Sequence, residues 1–229
     1  MTEDLTQRLA KVRKHIADAA RRAGRRDDEV KLVAVSKTHP VEALQSAIAA
    51  GANILGENKV QEAESKITEI GRGNAEWHLI GNLQANKARK AVKLFDVIHT
   101  LDSIELAERL ERICLEENRK SLSVFVQMDL ANETTKSGIK EEDLPVLNEF
   151  LKNCKCLKFD GLMTLPPYFE DAEKARPYFR GLREIRDEIL PNGELSMGMS
   201  HDFAAAIEEG ATIIRIGTAI FGERNISHR

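Results

Sequence analysis

The chain predicts an α/β fold, a (β/α)8 TIM barrel preceded by one helix, with residues 1–229 forming a single domain. Three observations carry this expectation. Eight short apolar runs alternate with helical patterns. No linker, low-complexity tract or repeat divides the sequence. The turn after the first strand reads Ser36-Lys37-Thr38 and lacks the glycine fingerprint of a doubly wound open sheet, the alternative architecture.

The first helix precedes any strand. Leu5, Leu9, Val12, Ile16 and Ala19 recur at helical spacing, and Gly24 ends the segment. The strand candidates are 32–36, 53–56, 76–80, 97–100, 123–130, 159–164, 194–199 and 212–216. A helix lies between each neighbouring pair. The helix over 41–50 follows Pro40, a good first-turn residue; 60–70 and 84–92 come next. The fourth opens on Asp102-Ser103-Ile104-Glu105, a capping-box-like start with Asp as the cap, and carries Leu106, Leu110 and Ile113 on one face. Leu144, Leu147 and Leu151 mark the fifth. The sixth spans 172–189, where Pro177 should disturb the first turns. The seventh spans 202–209, with Gly210 placed to cap it. Such alternation means right-handed βαβ units and a parallel sheet, which eight units close into a barrel.

Composition excludes several classes. A net charge of -3 gives no basic footprint, so no nucleic-acid partner is expected. No apolar run approaches the length of a membrane span. The start, Met1 to Leu5, lacks the basic and apolar regions of a signal peptide. The odd set Cys114, Cys154 and Cys156 predicts reduced thiols in a cytoplasmic protein. Cys154-Lys155-Cys156 lacks the second pair that a structural zinc site needs, so no metal is expected.

Barrels place function at the C-terminal ends of their strands. The first strand ends at Lys37, where desolvation would lower an amine's pKa and suit it to attack an aldehyde and hold it as a Schiff base. A snorkelling strand-end lysine is the bland alternative. The loops after strands seven and eight, Met197-Gly198-Met199-Ser200 and Arg215-Ile216-Gly217-Thr218, have the glycines and hydroxyls of a phosphate site. Tight turns and caps use the same residue types. Arg215, inside an apolar strand, either pairs with a carboxylate such as Glu57 or faces a ligand ring nitrogen. Asn58 either reaches a ligand hydroxyl or caps the helix beginning at Lys59.

An aldehyde, a phosphate and a ring nitrogen converge on pyridoxal 5'-phosphate. A class I aldolase explains the lysine and the phosphate loops but leaves Arg215 without a role. A minimal amino-acid racemase would need a second acid/base, for which His78 and Lys136 are the candidates; a hydrogen-bonded core histidine and a loop lysine are their plainer readings.

The segments Val33–Lys37, Gly56–Glu62, His78–Lys87, Gly161–Met163, Leu195–Ser200 and Arg215–Thr218 resemble the pyridoxal phosphate homeostasis protein family. The resemblance implies a barrel like the N-terminal domain of alanine racemase, with the cofactor on Lys37. It further implies phosphate contacts near Ser200, Gly217 and Thr218 and a ring contact from Arg215. The full cofactor-binding set is Lys37, Asn58, Met199, Ser200, Arg215, Gly217 and Thr218, with no catalytic residue. The implied role is non-enzymatic: a monomeric carrier or regulator of free cofactor, serving cofactor-requiring apoenzymes. His201 and Asp129 depart from the family pattern, which expects an acidic residue and asparagine there. The chain ends shortly after strand eight, so no second domain supplying a tyrosine base is expected; Tyr168 and Tyr178 both fall around the sixth loop and helix.

Overall fold

A computed structural model describes residues 4–131 and 137–223. Eight parallel strands close in sequence order: β1 Lys31–Val35, β2 Ile54–Glu57, β3 Glu76–Leu79, β4 Val97–Leu101, β5 Leu122–Met128, β6 Leu157–Thr164, β7 Glu194–Ser196 and β8 Ile213–Ile216. The helices are α1 Leu5–Arg22, α2 Val41–Ala49, α3 Val60–Ile70, α4 Ala88–Leu94, α5 Ile104–Glu116, α6 Leu144–Lys152, α7 Arg176–Ile189, α8 Phe203–Glu208 and the single turn α9 Thr218–Phe221. The expected closed barrel and leading helix are both present.

Alternation along the strands sorts the side chains. Val33, Val35, Val97, Phe125, Met163 and Ile213 pack inside the barrel. Ala34, Leu55, Trp77, Ile98 and Ile214 pack outward beneath the helices, in a separate and larger core. A parallel sheet covered by helices buries both faces, and this accounts for the apolar runs. Helix α1 seals the seam where β8 meets β1. Arg8 donates to the Ile220 carbonyl at 2.7 Å, and Arg25 donates to the carbonyls of Ile207 at 3.0 Å and Ala211 at 2.8 Å.

Several boundaries differ from the sequence expectation. The segment 84–92 splits into a 3-10 turn, Ala85–Lys87, and α4. Ser103, not Asp102, caps α5, its hydroxyl accepting from the Leu106 N–H at 3.2 Å. Pro177 does not disturb a long helix. It occupies the first turn of α7, where its missing N–H costs nothing, after a 3-10 turn over Ala172–Ala175. β7 ends at Ser196, and the expected extension to residue 199 is broken at Gly198, which takes φ 93°, outside the extended region. Among the described residues no helix is long and apolar enough to cross a membrane, and no group of His, Cys, Asp or Glu is arranged to hold a metal. The three cysteines are free, and burial pushes the Cys114 thiol up to about 12 and Cys154 to about 11.

Candidate functional site

Val33 and Val35 face the barrel interior, so the same alternation carried one step further brings Lys37 over its mouth. Lys37 lies just beyond β1, in a turn, half-buried. The peptides on either side of it are held. Ser36 accepts through its carbonyl from Lys66 Nζ at 2.8 Å, and the Thr38 N–H donates to Glu62 Oε1 at 2.5 Å. Thr38 has φ 66°, a left-handed conformation that a β-branched residue adopts only when its surroundings impose it.

Lys66 links both anchors. Its ammonium donates to Glu57 Oε1 and Glu62 Oε1, each at 2.7 Å, and Ser36 Oγ donates to Glu57 Oε1 at 2.7 Å. Glu57 is fully buried, and burial pushes its carboxyl up despite Lys66 and Ser36. Its second oxygen, Oε2, has no hydrogen-bond partner among the described residues. For Glu62, Lys66 and the Thr38 N–H outweigh the burial that raises its carboxyl, and the net shift is downward.

Arg215 pairs with Val33 across β8 and β1 and points inward, 3% exposed. It donates to Ser196 Oγ at 2.6 Å and to the Thr164 carbonyl at 2.9 Å. The alternative ion pair with Glu57 is not formed, because Glu57 sits on the outer face of β2, held by Lys66 on α3. Burial pushes the guanidinium down to about 10, opposed by Asp202, and it stays charged at neutral pH.

The two loops expected to bind phosphate meet beside Arg215. A Cβ at Gly198 would lie 2.6 Å from Ala206 Cβ, so the loop lies flat on α8 only as glycine. The Met199 N–H donates to Asp202 Oδ1 at 2.7 Å, fixing the turn. Gly217 precedes α9, whose first amides have no intrahelical acceptor. Lys37, Asn58, Met199, Ser200, Arg215, Gly217 and Thr218 all line one cavity of about 520 Å³, within the size range of small-molecule sites.

Asn58 does not cap α3. The helix starts at Val60, with Lys59 at its boundary. The loop carrying Asn58 instead packs on Gly81, where a Cβ would lie 2.3 Å from the Asn58 carbonyl oxygen. Other candidates lie elsewhere. His78 is 1% exposed, with both ring nitrogens engaged inside the barrel. Asp129 accepts the Ala131 N–H at 3.2 Å and is not part of the cavity wall. Lys136 lies outside the described residues. His201 reaches the wall, but its Nε2 pairs with the Glu170 carbonyl at 2.9 Å.

Sequence reasoning missed His39, Tyr168 and Phe169, which also line the cavity. His39 stacks on Phe221 at 4.8 Å, and the exposed Tyr168 ring lies 5.7 Å from His201. The apolar run Leu165-Pro-Pro-Tyr-Phe169 after β6 was the available signal. Lys66 was legible as the one charge on a buried helical stripe, Val60, Ala63, Lys66, Ile67 and Ile70.

The family model described as alanine racemase, N-terminal domain, matches residues 7–225. The pyridoxal phosphate homeostasis protein of Aquifex aeolicus is 43% identical over 95% of this chain and 97% of its own. That of Escherichia coli K12 is 41% identical over 99% of both chains. The structure of PipY from Synechococcus elongatus PCC7942 with PLP bound superposes with a TM-score of 0.83 at 39% identity, covering 96% of this chain and all of that one.

Proposed function

This chain belongs to the alanine racemase N-terminal domain family, and within it to the pyridoxal phosphate homeostasis proteins, and on that premise we propose that it binds pyridoxal 5'-phosphate through Lys37 and acts as an intracellular carrier of that cofactor rather than as an enzyme. The observation that carries the reading is the convergence of an amine, a buried guanidinium and two glycine-bearing loops on one cavity. That donor set fits the group. Lys37 Nζ would condense with the aldehyde, losing one water, to give a Schiff base. Ser200, Thr218 and the amides opening α9 would take the phosphate. Arg215 would donate to the ring nitrogen.

When bound, the cofactor supplies an electron sink for amino-acid chemistry. Arg215 works against that use. A guanidinium facing the nitrogen donates a hydrogen bond and repels a further proton, so the ring stays neutral at that atom. His78 is committed to the barrel interior and cannot serve as the second acid/base. A cytoplasmic setting, a monomeric state and delivery to cofactor-requiring apoenzymes complete the proposal.

The test is deuterium uptake from solvent into the α-position of alanine or serine, followed by NMR with the cofactor-loaded protein. Uptake near background supports the carrier reading. Exchange at about 1–1000 per second, the range of ordinary enzymes, would overturn it in favour of a racemase.

A further inference from the structure

Arg215 is one end of a hydrogen-bonded chain that crosses the barrel. Its Nη1 donates to Ser196 Oγ at 2.6 Å; Ser196 Oγ is 2.8 Å from His99 Nδ1; His99 Nε2 is 2.8 Å from His78 Nδ1; and His78 Nε2 is 2.9 Å from Glu76 Oε1. Ser196 and His99 are fully buried and His78 is 1% exposed. Glu76 opens β3, at the barrel end opposite the cavity, and its side chain reaches solvent. Arg215, Ser196, His99 and His78 all occupy inward positions on their strands, sharing the parity of Ile213, Val97 and Ile80.

The hydrogens in this chain are determined by its chemistry. Arginine can only donate, so Ser196 Oγ accepts from it. The hydroxyl's own hydrogen then has a single remaining partner, His99 Nδ1, and leaving it unpaired in a fully buried site would be costly. His99 Nδ1 therefore accepts and its Nε2 carries the hydrogen. His78 Nδ1 accepts in turn, and its Nε2–H donates to the Glu76 carboxylate. Every bond points the same way, from guanidinium to carboxylate, and both imidazoles are neutral. Bonds aligned in series polarise one another. Burial above all, with the nearby Arg215 charge, pushes His99 away from its charged form, in keeping with this arrangement. Phe125 stacks on the His99 ring at 4.7 Å and 7° and fixes its plane.

We propose that Ser196, His99, His78 and Glu76 are positioning residues that hold the Arg215 guanidinium in place for the ligand's ring nitrogen through a one-way relay of donated hydrogen bonds. The proposal rests on the ligand reading above, but the relay itself does not need the ligand. It also gives three buried polar side chains of the barrel interior, Ser196, His99 and His78, a common purpose that packing alone does not supply.

Two measurements test it on the full chain. In the ligand-free protein, long-range proton–nitrogen NMR of labelled histidine should find His78 and His99 both protonated at Nε2 and bare at Nδ1. A hydrogen on His99 Nδ1 would overturn the relay. The second measurement is affinity for pyridoxal phosphate relative to an analogue with carbon in place of the ring nitrogen. The wild-type protein should prefer the natural cofactor by about tenfold, the worth of one charge-assisted hydrogen bond. That preference should fall by at least about threefold in Ser196→Ala and in the distant Glu76→Leu. It should persist in Glu76→Gln, whose amide oxygen still accepts. A general weakening that leaves the ratio unchanged would mark a merely structural role and overturn the proposal. Absence of binding by the wild-type chain would overturn the ligand reading instead, while the histidine tautomers still judge the relay.

Discussion

Lys66 Nζ lies 2.8 Å from the Ser36 carbonyl oxygen, so a buried ammonium on α3 holds the peptide next to Lys37. The same nitrogen neutralises Glu57, which is fully buried on the outer face of β2. Lys66→Met should therefore leave an uncompensated buried carboxylate and cost about 3–5 kcal/mol of stability. Adding Glu57→Gln should restore part of that loss. Urea unfolding of the two single variants and the double variant measures the coupling; additive losses would contradict the paired arrangement.

Glu209 gives the fold an acid-sensitive joint. Although burial raises its carboxyl, Arg180, Arg183 and Arg176 outweigh that effect and hold it below the ordinary glutamate value. Arg183 is 2.9 Å away and Arg180 3.0 Å. A depressed folded-state pKa adds stability above the unfolded value, about 4.3 for glutamate, and that stability is lost as pH falls through the folded one. Glu209→Gln should cost roughly 1–2 kcal/mol at pH 7, the arginines being partly exposed. The gap between wild type and variant should close as pH is lowered toward 3. A gap that does not change with pH would contradict the ion-pair account.

Gly81 is tight against Asn58, with a would-be Cβ 2.3 Å from its carbonyl oxygen. Gly81→Ala must push apart the loops after β2 and β3, and should cost about 1–3 kcal/mol. It should also weaken cofactor binding, because Asn58 lines the cavity. Thermal unfolding and a cofactor titration check both effects; an unchanged affinity would remove Asn58 from the site.

Phosphate should dominate affinity. On the proposed reading several hydrogen bonds to a charged group would converge there, each worth about 1.5–3 kcal/mol. Pyridoxal without its phosphate should bind at least about a hundredfold more weakly. Equal affinities in a direct titration would contradict the role given to Ser200, Gly217 and Thr218.

Much of this was legible in the sequence because the signals are local. Apolar runs, helical stripes and glycines at strand ends fix the barrel, and residues at consecutive strand ends must meet at one mouth. What was not legible depends on distance. Nothing local distinguishes Ser103 from Asp102 as a cap, or shows that Pro177 begins a helix. The relay joins β3, β4, β7 and β8, and its order follows from strand register and barrel closure. His99 sits in an apolar strand run and gave no signal alone; only its inward parity, shared with His78, hints at a pair. The place of Lys66 on the apolar stripe of α3 marks it as unusual, but its partner Glu57 is visible only once α3 is laid on the sheet.

Borohydride reduction of the loaded protein, followed by peptide mass mapping, tests the proposed attachment of the cofactor to Lys37. The loaded protein should be yellow and lose that absorbance on reduction, with the pyridoxyl group on the peptide containing Lys37. In Lys37→Ala the covalent adduct should be absent while noncovalent binding through the phosphate loops persists. A reduced adduct on any other lysine of the wild-type protein would rule out Lys37 as the attachment point.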